Sequence, residues 1–187
     1  MKQLLLAPLL FCCSFLVWSH GYVESPESRS YKCKLGFNVL CGAVQYEPQS
    51  IEGPKGFPQQ GPEDGKIASA GKPTFSQLDE QTALRWQRVR QESKDIKFKW
   101  KLTAQHQTTK WEYFITKSNW DVNAPLIRKQ FEPDPFCKFE LVEWPDKIVE
   151  HDCILPITSK GYHVVLAVWT IDDTENAFYQ VIDLDIN

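Results

Sequence analysis

The sequence predicts a mainly β protein built as a two-sheet sandwich. Aromatic residues make up 13% of the chain, Gly (9) and Pro (12) are frequent while Met occurs once, and several short stretches alternate apolar and polar residues at period two between turn signals. Aromatic and β-branched side chains suit a pleated, half-buried surface, and Gly and Pro punctuate turns. At 187 residues there is room for one domain behind a leader. A hydrophobic fraction of 42% with 24% charged residues is that of an ordinary globular chain and argues against disorder. The 21 basic and 24 acidic residues give a net charge of −3, with no basic block. That argues against a nucleic-acid partner, because non-specific affinity for phosphates needs clustered Lys and Arg.

Taken in order, Met1 and Lys2 precede an apolar run over 3–18 that is too short and too poorly flanked to span a membrane. Val17 and Ser19 are small residues three and one before a cleavage point, so 1–19 reads as a secretory signal peptide. The mature chain is then 20–187, a single extracellular domain expected to be a monomer and free of the membrane. Removing Lys2 leaves 20 basic against 24 acidic residues, a balance of −4. Cys12 and Cys13 leave with the leader. Cys33, Cys41, Cys137 and Cys153 remain, an even number that in an exported chain reads as two disulfides. Four cysteines allow three connectivities; the local one, Cys33–Cys41 with Cys137–Cys153, is preferred here. Zinc is disfavoured because no pair has the C-x₂₋₄-C spacing.

Residues 96–102 alternate apolar and basic, as a strand with one buried face and one solvated lysine face does. Residues 111–116 continue as a second strand after a short polar connection, 136–143 as a weaker one, and 177–186 close the chain with further alternation. Residues 162–171 are nearly all apolar, which suits a central strand buried on both faces. Between Cys41 and Arg90 the chain is rich in Gly, Pro, Gln and Ser with no sustained strand pattern, and a short helix is expected over 78–90. Bulky residues (Tyr46, Ile51, Phe57, Phe75, Trp86) recur through this stretch, so it reads as an ordered, function-bearing loop.

Several familiar chemistries are missing. Gly61–Lys66 imitates a phosphate loop but is one residue short, with Ile67 where a Mg²⁺-binding hydroxyl is required. There is no G-x-S-x-G elbow, no H-E-x-x-H pair and no dinucleotide fingerprint. Among the four histidines, His163 reads as a structural imidazole in an apolar strand and His151, between Glu150 and Asp152, as a surface residue. His106 lies in the short connection after 96–102. Cleavage after Ser19 gives His20 both an imidazole and a free α-amine, two nitrogens that chelate one ion. A third from His106 makes a planar three-nitrogen site of the kind that suits copper. The α-amine, with an ordinary pKa of about 8, can lose its proton near neutral pH to do this.

The segment His20-Gly21-Tyr22-Val23-Glu24-Ser25-Pro26, with Arg29, Cys33 and Cys41-Gly42, resembles the mature start of the chitin-binding lytic polysaccharide monooxygenases of auxiliary activity family ten. The likeness continues through Gln45–Ser50, Glu52-Gly53, Gly56-Phe57-Pro58, Thr103–His106, Tyr113–Thr116, Asp173 and Asn176–Tyr179, in order along the whole mature chain, and is greatest to the small, single-domain, chitin-active members. It implies an immunoglobulin- or fibronectin type III-like β-sandwich with a large, partly helical loop region between early strands. It implies a copper brace from the His20 amine, the His20 imidazole and His106. Phe178 matches the residue on the axial side of the metal, Ala104 the small residue opposite, and Glu52 the carboxylate thought to position the oxygen species. Tyr46, Glu47, Glu52, Thr103, Asp173 and Asn176 match a flat polar face that meets crystalline, insoluble chitin. The implied reaction is oxidative cleavage of β-1,4 bonds at C1, with copper cycling between Cu(II) and Cu(I), an external electron donor, and peroxide or dioxygen as cosubstrate. Rival readings are a non-catalytic chitin-binding protein, a secreted copper carrier, and the same chemistry on cellulose.

Overall fold

Nine strands and one short α-helix are described between residues 20 and 187 of a computed structural model; the expected leader over 1–19 lies outside the described residues. In chain order they are β1 (His20–Ser25), α1 (Arg29–Lys34), β2 (Glu52–Pro54), β3 (Val89–Gln91), β4 (Asp95–Ala104), β5 (Thr108–Ile115), β6 (Cys137–Glu143), β7 (Ile148–Ile154), β8 (Gly161–Ile171) and β9 (Asn176–Ile186). One sheet has the order β1-β4-β7 and the other β2-β9-β8-β5-β6, with β3 alongside β9. All pairs are antiparallel except β3–β9. The fold is therefore the β-sandwich that the composition and periodicity predict.

The burial patterns explain the strand sequences. In β4, Ile96, Phe98, Trp100 and Leu102 are buried while the lysines between them face water, so one face of the three-stranded sheet is wet. Between the sheets these residues pack with Trp111, Tyr113, Val165, Ala167, Trp169, Phe178 and Ile182. The opposite face of the larger sheet is covered in turn by the long loop region, through Val44, Ile51, Phe57, Ile67, Phe75, Leu78 and Trp86. Covered on both faces, β8 and β9 have almost no exposed residue over their length, which is why 162–171 reads as a continuous apolar run. Each large side chain in such a core contributes about 1.5–3 kcal/mol relative to leaving it exposed.

Two disulfides join Cys33 to Cys41 and Cys137 to Cys153, the local pairing preferred from the sequence. The second links the start of β6 to β7 and so bridges the two sheets at one edge. Among the described residues no helix is long and apolar enough to cross a membrane.

Two expectations are corrected. Residues 78–90 form no α-helix: a 3₁₀ segment runs over Pro73–Asp79, and turns follow until β3. The segment is held instead by side chains that donate to its carbonyls. Arg29 Nη1 donates to Leu78 O (2.8 Å) and Trp86 Nε1 to Glu80 O (2.7 Å). His151 is buried, not a surface residue. It stands opposite Phe98 in β7, on the inward side of a strand whose Glu150 and Asp152 point out to Lys97. Tyr113 Oη donates to its Nδ1 at 2.6 Å while accepting from Trp100 Nε1 at 3.0 Å. Burial pushes the His151 pKa down to about 4 and the Tyr113 phenol upward, so the imidazole is a neutral acceptor and the phenol a donor. His163 is buried and bonded to Thr116, a structural imidazole as expected.

The loop region is fixed by one buried cation. Arg29 donates from Nε and Nη2 to Asp183 (3.0 and 2.7 Å) and from Nη2 to Gln81 Oε1 (2.9 Å), with its guanidinium 4.4 Å from the Trp86 ring centroid. Tyr162 Oη donates to the same carboxylate at 2.7 Å. Every partner is satisfied, as a buried ion pair requires, and α1, the loop and β9 are thereby tied together.

Candidate metal centre

β1 and β4 pair with His20 opposite Ala104, so the first residue of β1 lies beside the last of β4 and two residues before His106. Gly21 makes this approach possible: a Cβ there would lie 2.7 Å from Leu102 Cδ2 and 3.1 Å from Trp169 Cζ3. Gly21 N–H donates to Gln49 O (3.1 Å) and Thr103 Oγ1 to His20 O (3.3 Å), holding the strand start from both sides.

His106 is 5% exposed in the turn between β4 and β5. Its Nδ1 lies 3.1 Å from Asp173 Oδ1. A carboxylate only accepts, so in the neutral imidazole Nδ1 carries the hydrogen and Nε2 keeps its lone pair. That Nε2 is buried and hydrogen-bonds to nothing among the described residues. A buried, unpartnered acceptor costs free energy unless something else binds it. An imidazole whose far nitrogen is fixed by a carboxylate is the usual form of a metal ligand. Nor do three or more His, Cys, Asp or Glu side chains gather into a metal-holding group among the described residues. A copper ion held at His106 would therefore need donors beyond such a side-chain group, and a His20 made terminal by cleavage would offer it an amine and an imidazole. The residues present fit copper.

The neighbouring loops converge on this end of the sandwich. Asp172 N–H donates to Gln107 O at 2.9 Å and Thr109 Oγ1 to Asp172 Oδ1 at 3.2 Å, which fixes the β8–β9 turn carrying Asp173 against the His106 turn. At the start of β9, Asn176 Nδ2 donates to Glu52 Oε1 (2.8 Å), and Glu52 pairs with Phe178 across β2 and β9. Phe178 is fully buried, its ring centroid 5.0 Å from that of Trp169. Tyr46 ends a 3₁₀ turn (Gly42–Gln45) and is 81% exposed. Glu47, half-buried, accepts from Ser50 N–H at 3.0 Å through its carbonyl, so the turn that carries both residues leads into the Gln49 bond with β1. His20, Ala104, Thr103, His106, Asp173, Asn176, Glu52 and Phe178 are thus linked by hydrogen bonds, chain neighbourhood or strand register, and Tyr46 and Glu47 stand on an adjoining turn.

Sequence reasoning missed two features. One is the His106–Asp173 bond, between residues 67 apart in the chain. The other is Trp144, 65% exposed, whose ring lies 6.4 Å from that of His106 at 29°; a lone Trp-Pro in a polar stretch between strands was the available signal.

Comparison with known proteins gives this end of the sandwich a context. The family described as lytic polysaccharide mono-oxygenase, cellulose-degrading, matches residues 20–184. GlcNAc-binding protein A of Shewanella oneidensis is 52% identical over 90% of this chain and 36% of its own length; that of Vibrio cholerae is 46% identical over 98% and 40%. The chain thus spans about two-fifths of the length of these curated relatives. Among solved structures, an AA10 LPMO from Photorhabdus luminescens superposes with a TM-score of 0.88 at 52% identity, covering 90% of this chain and 99% of that one. A CBM33 protein of Bacillus amyloliquefaciens, in complex with Cu(I) after photoreduction, does so with a TM-score of 0.83 at 41% identity, covering 90% and 100%. The chain belongs to the lytic polysaccharide mono-oxygenases of auxiliary activity family ten.

Proposed function

We propose that this chain, processed to begin at His20, is a secreted copper-dependent monooxygenase that binds crystalline chitin and cleaves its β-1,4 bonds by oxidation at C1. The observation that carries the reading is the buried Nε2 of His106, left with a lone pair and no hydrogen-bond partner while Asp173 holds Nδ1. The family match beginning at residue 20 supports His20 as the mature terminus. When bound, copper supplies one-electron redox chemistry, with electrons from an external donor and peroxide or dioxygen as the oxidant.

The chain's own residues do the rest. The His20 α-amine, once deprotonated, the His20 imidazole and His106 Nε2 would hold the ion. Phe178, buried against Trp169, would help to keep water from the centre, and Ala104, a small side chain opposite His20 in the strand pair, would leave room beside it. Glu52, oriented by Asn176, presents a carboxylate beside it. Tyr46, Glu47, Thr103, Asp173 and Asn176 offer a ring and hydrogen-bonding groups to a substrate that is itself a flat crystal face. Chitin is preferred over cellulose because the relatives are named for binding GlcNAc, although the family description names cellulose. A non-catalytic chitin binder would not need His106 held in this state, and a copper carrier would not need the exposed Tyr46.

The test is mass spectrometry of products released from β-chitin and from cellulose by the copper-loaded chain with a reductant. Chitooligosaccharide aldonic acids are expected. Oxidised cello-oligosaccharides alone would reassign the substrate, and no oxidised product from either would remove the catalytic reading.

A further inference from the structure

We infer that Trp144 is a substrate-contact residue, binding a sugar ring of the polysaccharide on the His106 side of the metal centre; this rests on the chitin reading above. Six of the seven tryptophans fall among the described residues, and five of these are buried: Trp86, Trp100, Trp111, Trp120 and Trp169. Trp144 alone is exposed, at 65%. A large aromatic ring held in water at one place on the surface marks a contact site when the backbone beneath it is fixed.

It is fixed here. Gln105 Nε2 donates to Pro145 O at 2.6 Å, and Leu102 N–H donates to Lys147 O at 2.8 Å. The segment carrying Trp144 is therefore fastened both to the end of β4 and to the turn that bears His106. The ring lies near-parallel to the His106 imidazole, so it stands beside the centre rather than elsewhere on the surface.

The sheet order gives the arrangement its sense. With β4 between β1 and β7, the Tyr46 turn attaches on the β1 side through Gln49 and the Trp144 segment on the β7 side. His20 and His106 lie between them. Two exposed aromatic residues thus flank the centre, as an extended chain laid across it requires. β-Linked pyranose rings present faces of axial C–H groups with partial positive charge, which pack against the negative face of an indole. Trp144 would fix how far along the chain the oxidised bond falls.

Two measurements on the copper-loaded chain beginning at His20 test this. N-bromosuccinimide should oxidise Trp144 in the free protein, and peptide mapping should show the residue protected when the protein is bound to β-chitin. Trp144→Ala should raise the dissociation constant on β-chitin by about three- to tenfold, the scale of an aromatic contact, with Trp144→Phe between it and wild type. Copper affinity and melting temperature should not change. Binding by Trp144→Ala equal to wild type, or Trp144 still reactive on chitin, would overturn the inference. So would unchanged chitin binding with weakened copper binding, which would make the ring a cover for His106. If wild-type protein fails to bind chitin, the functional reading itself falls.

Discussion

Replacing Asp173 by Ala removes the acceptor that holds the proton on His106 Nδ1, 3.1 Å away. With that acceptor gone, the neutral imidazole is free to carry its hydrogen on either nitrogen and to rotate, and only one of these states points a lone pair from Nε2 into the site. Loss of such an outer-shell partner costs about 10- to 100-fold in metal affinity. The Asp173 side chain is 45% exposed, so water replaces part of what is lost and the lower end, about tenfold, is expected. Tenfold is about 1.4 kcal/mol, and the stabilisation given by saturating copper should fall by the same amount. For a chain of this size that is about 3–6 °C off the copper-induced rise in melting temperature. Calorimetric titration with Cu(II) and thermal unfolding with and without copper measure both. The metal-free melting temperature should hardly move, and in a His106→Ala background the Asp173 change should have no further effect. A copper affinity within twofold of wild type would show that the His106–Asp173 bond does not orient a ligand.

Other outcomes follow from the same contacts. Tyr46→Ala should weaken attachment to β-chitin with an unchanged copper spectrum and melting temperature, because Tyr46 is 81% exposed; a lowered melting temperature with unchanged binding would make it a structural residue. His151 should make the protein acid-sensitive. Its folded pKa is pushed down to about 4 from an ordinary 6.5, so the unfolded chain takes up a proton in that interval while the folded one does not. The contribution is complete above pH 6.5 and is lost as pH falls towards 4. Its size is about 3 kcal/mol. His151→Gln should flatten the dependence of melting temperature on pH over that interval, and an unaltered slope would assign the sensitivity to other groups.

Much of this architecture is legible in the sequence because burial writes itself into strands. β4 shows one wet face and β8 none, and both patterns were readable before any pairing was known. What stayed hidden depends on partners distant in the chain. A short helix is expected over 78–90, but Arg29 and Trp86 donate to carbonyls there, and Arg29 itself answers to Asp183, 154 residues on. His151 looked solvated because its two neighbours are acidic, yet in a strand those neighbours face the other way. The metal centre divides in the same manner. The proposed pairing of a terminal His20 with His106 rests on the chemistry of two residues, whereas the Asp173 bond and the place of Trp144 come from loops that only the folded sandwich brings together.

The central claim is that the His20 amine and imidazole join His106 in one copper site. Its most direct test is the Cu(II) dissociation constant of a chain beginning at His20, set beside the same chain with one alanine added before it. The extension turns the amine into an amide and leaves both imidazoles in place. Because it removes a ligand rather than a supporting partner, the loss should exceed the roughly 100-fold that an outer-shell change costs. Equal affinity in the two chains would contradict the account.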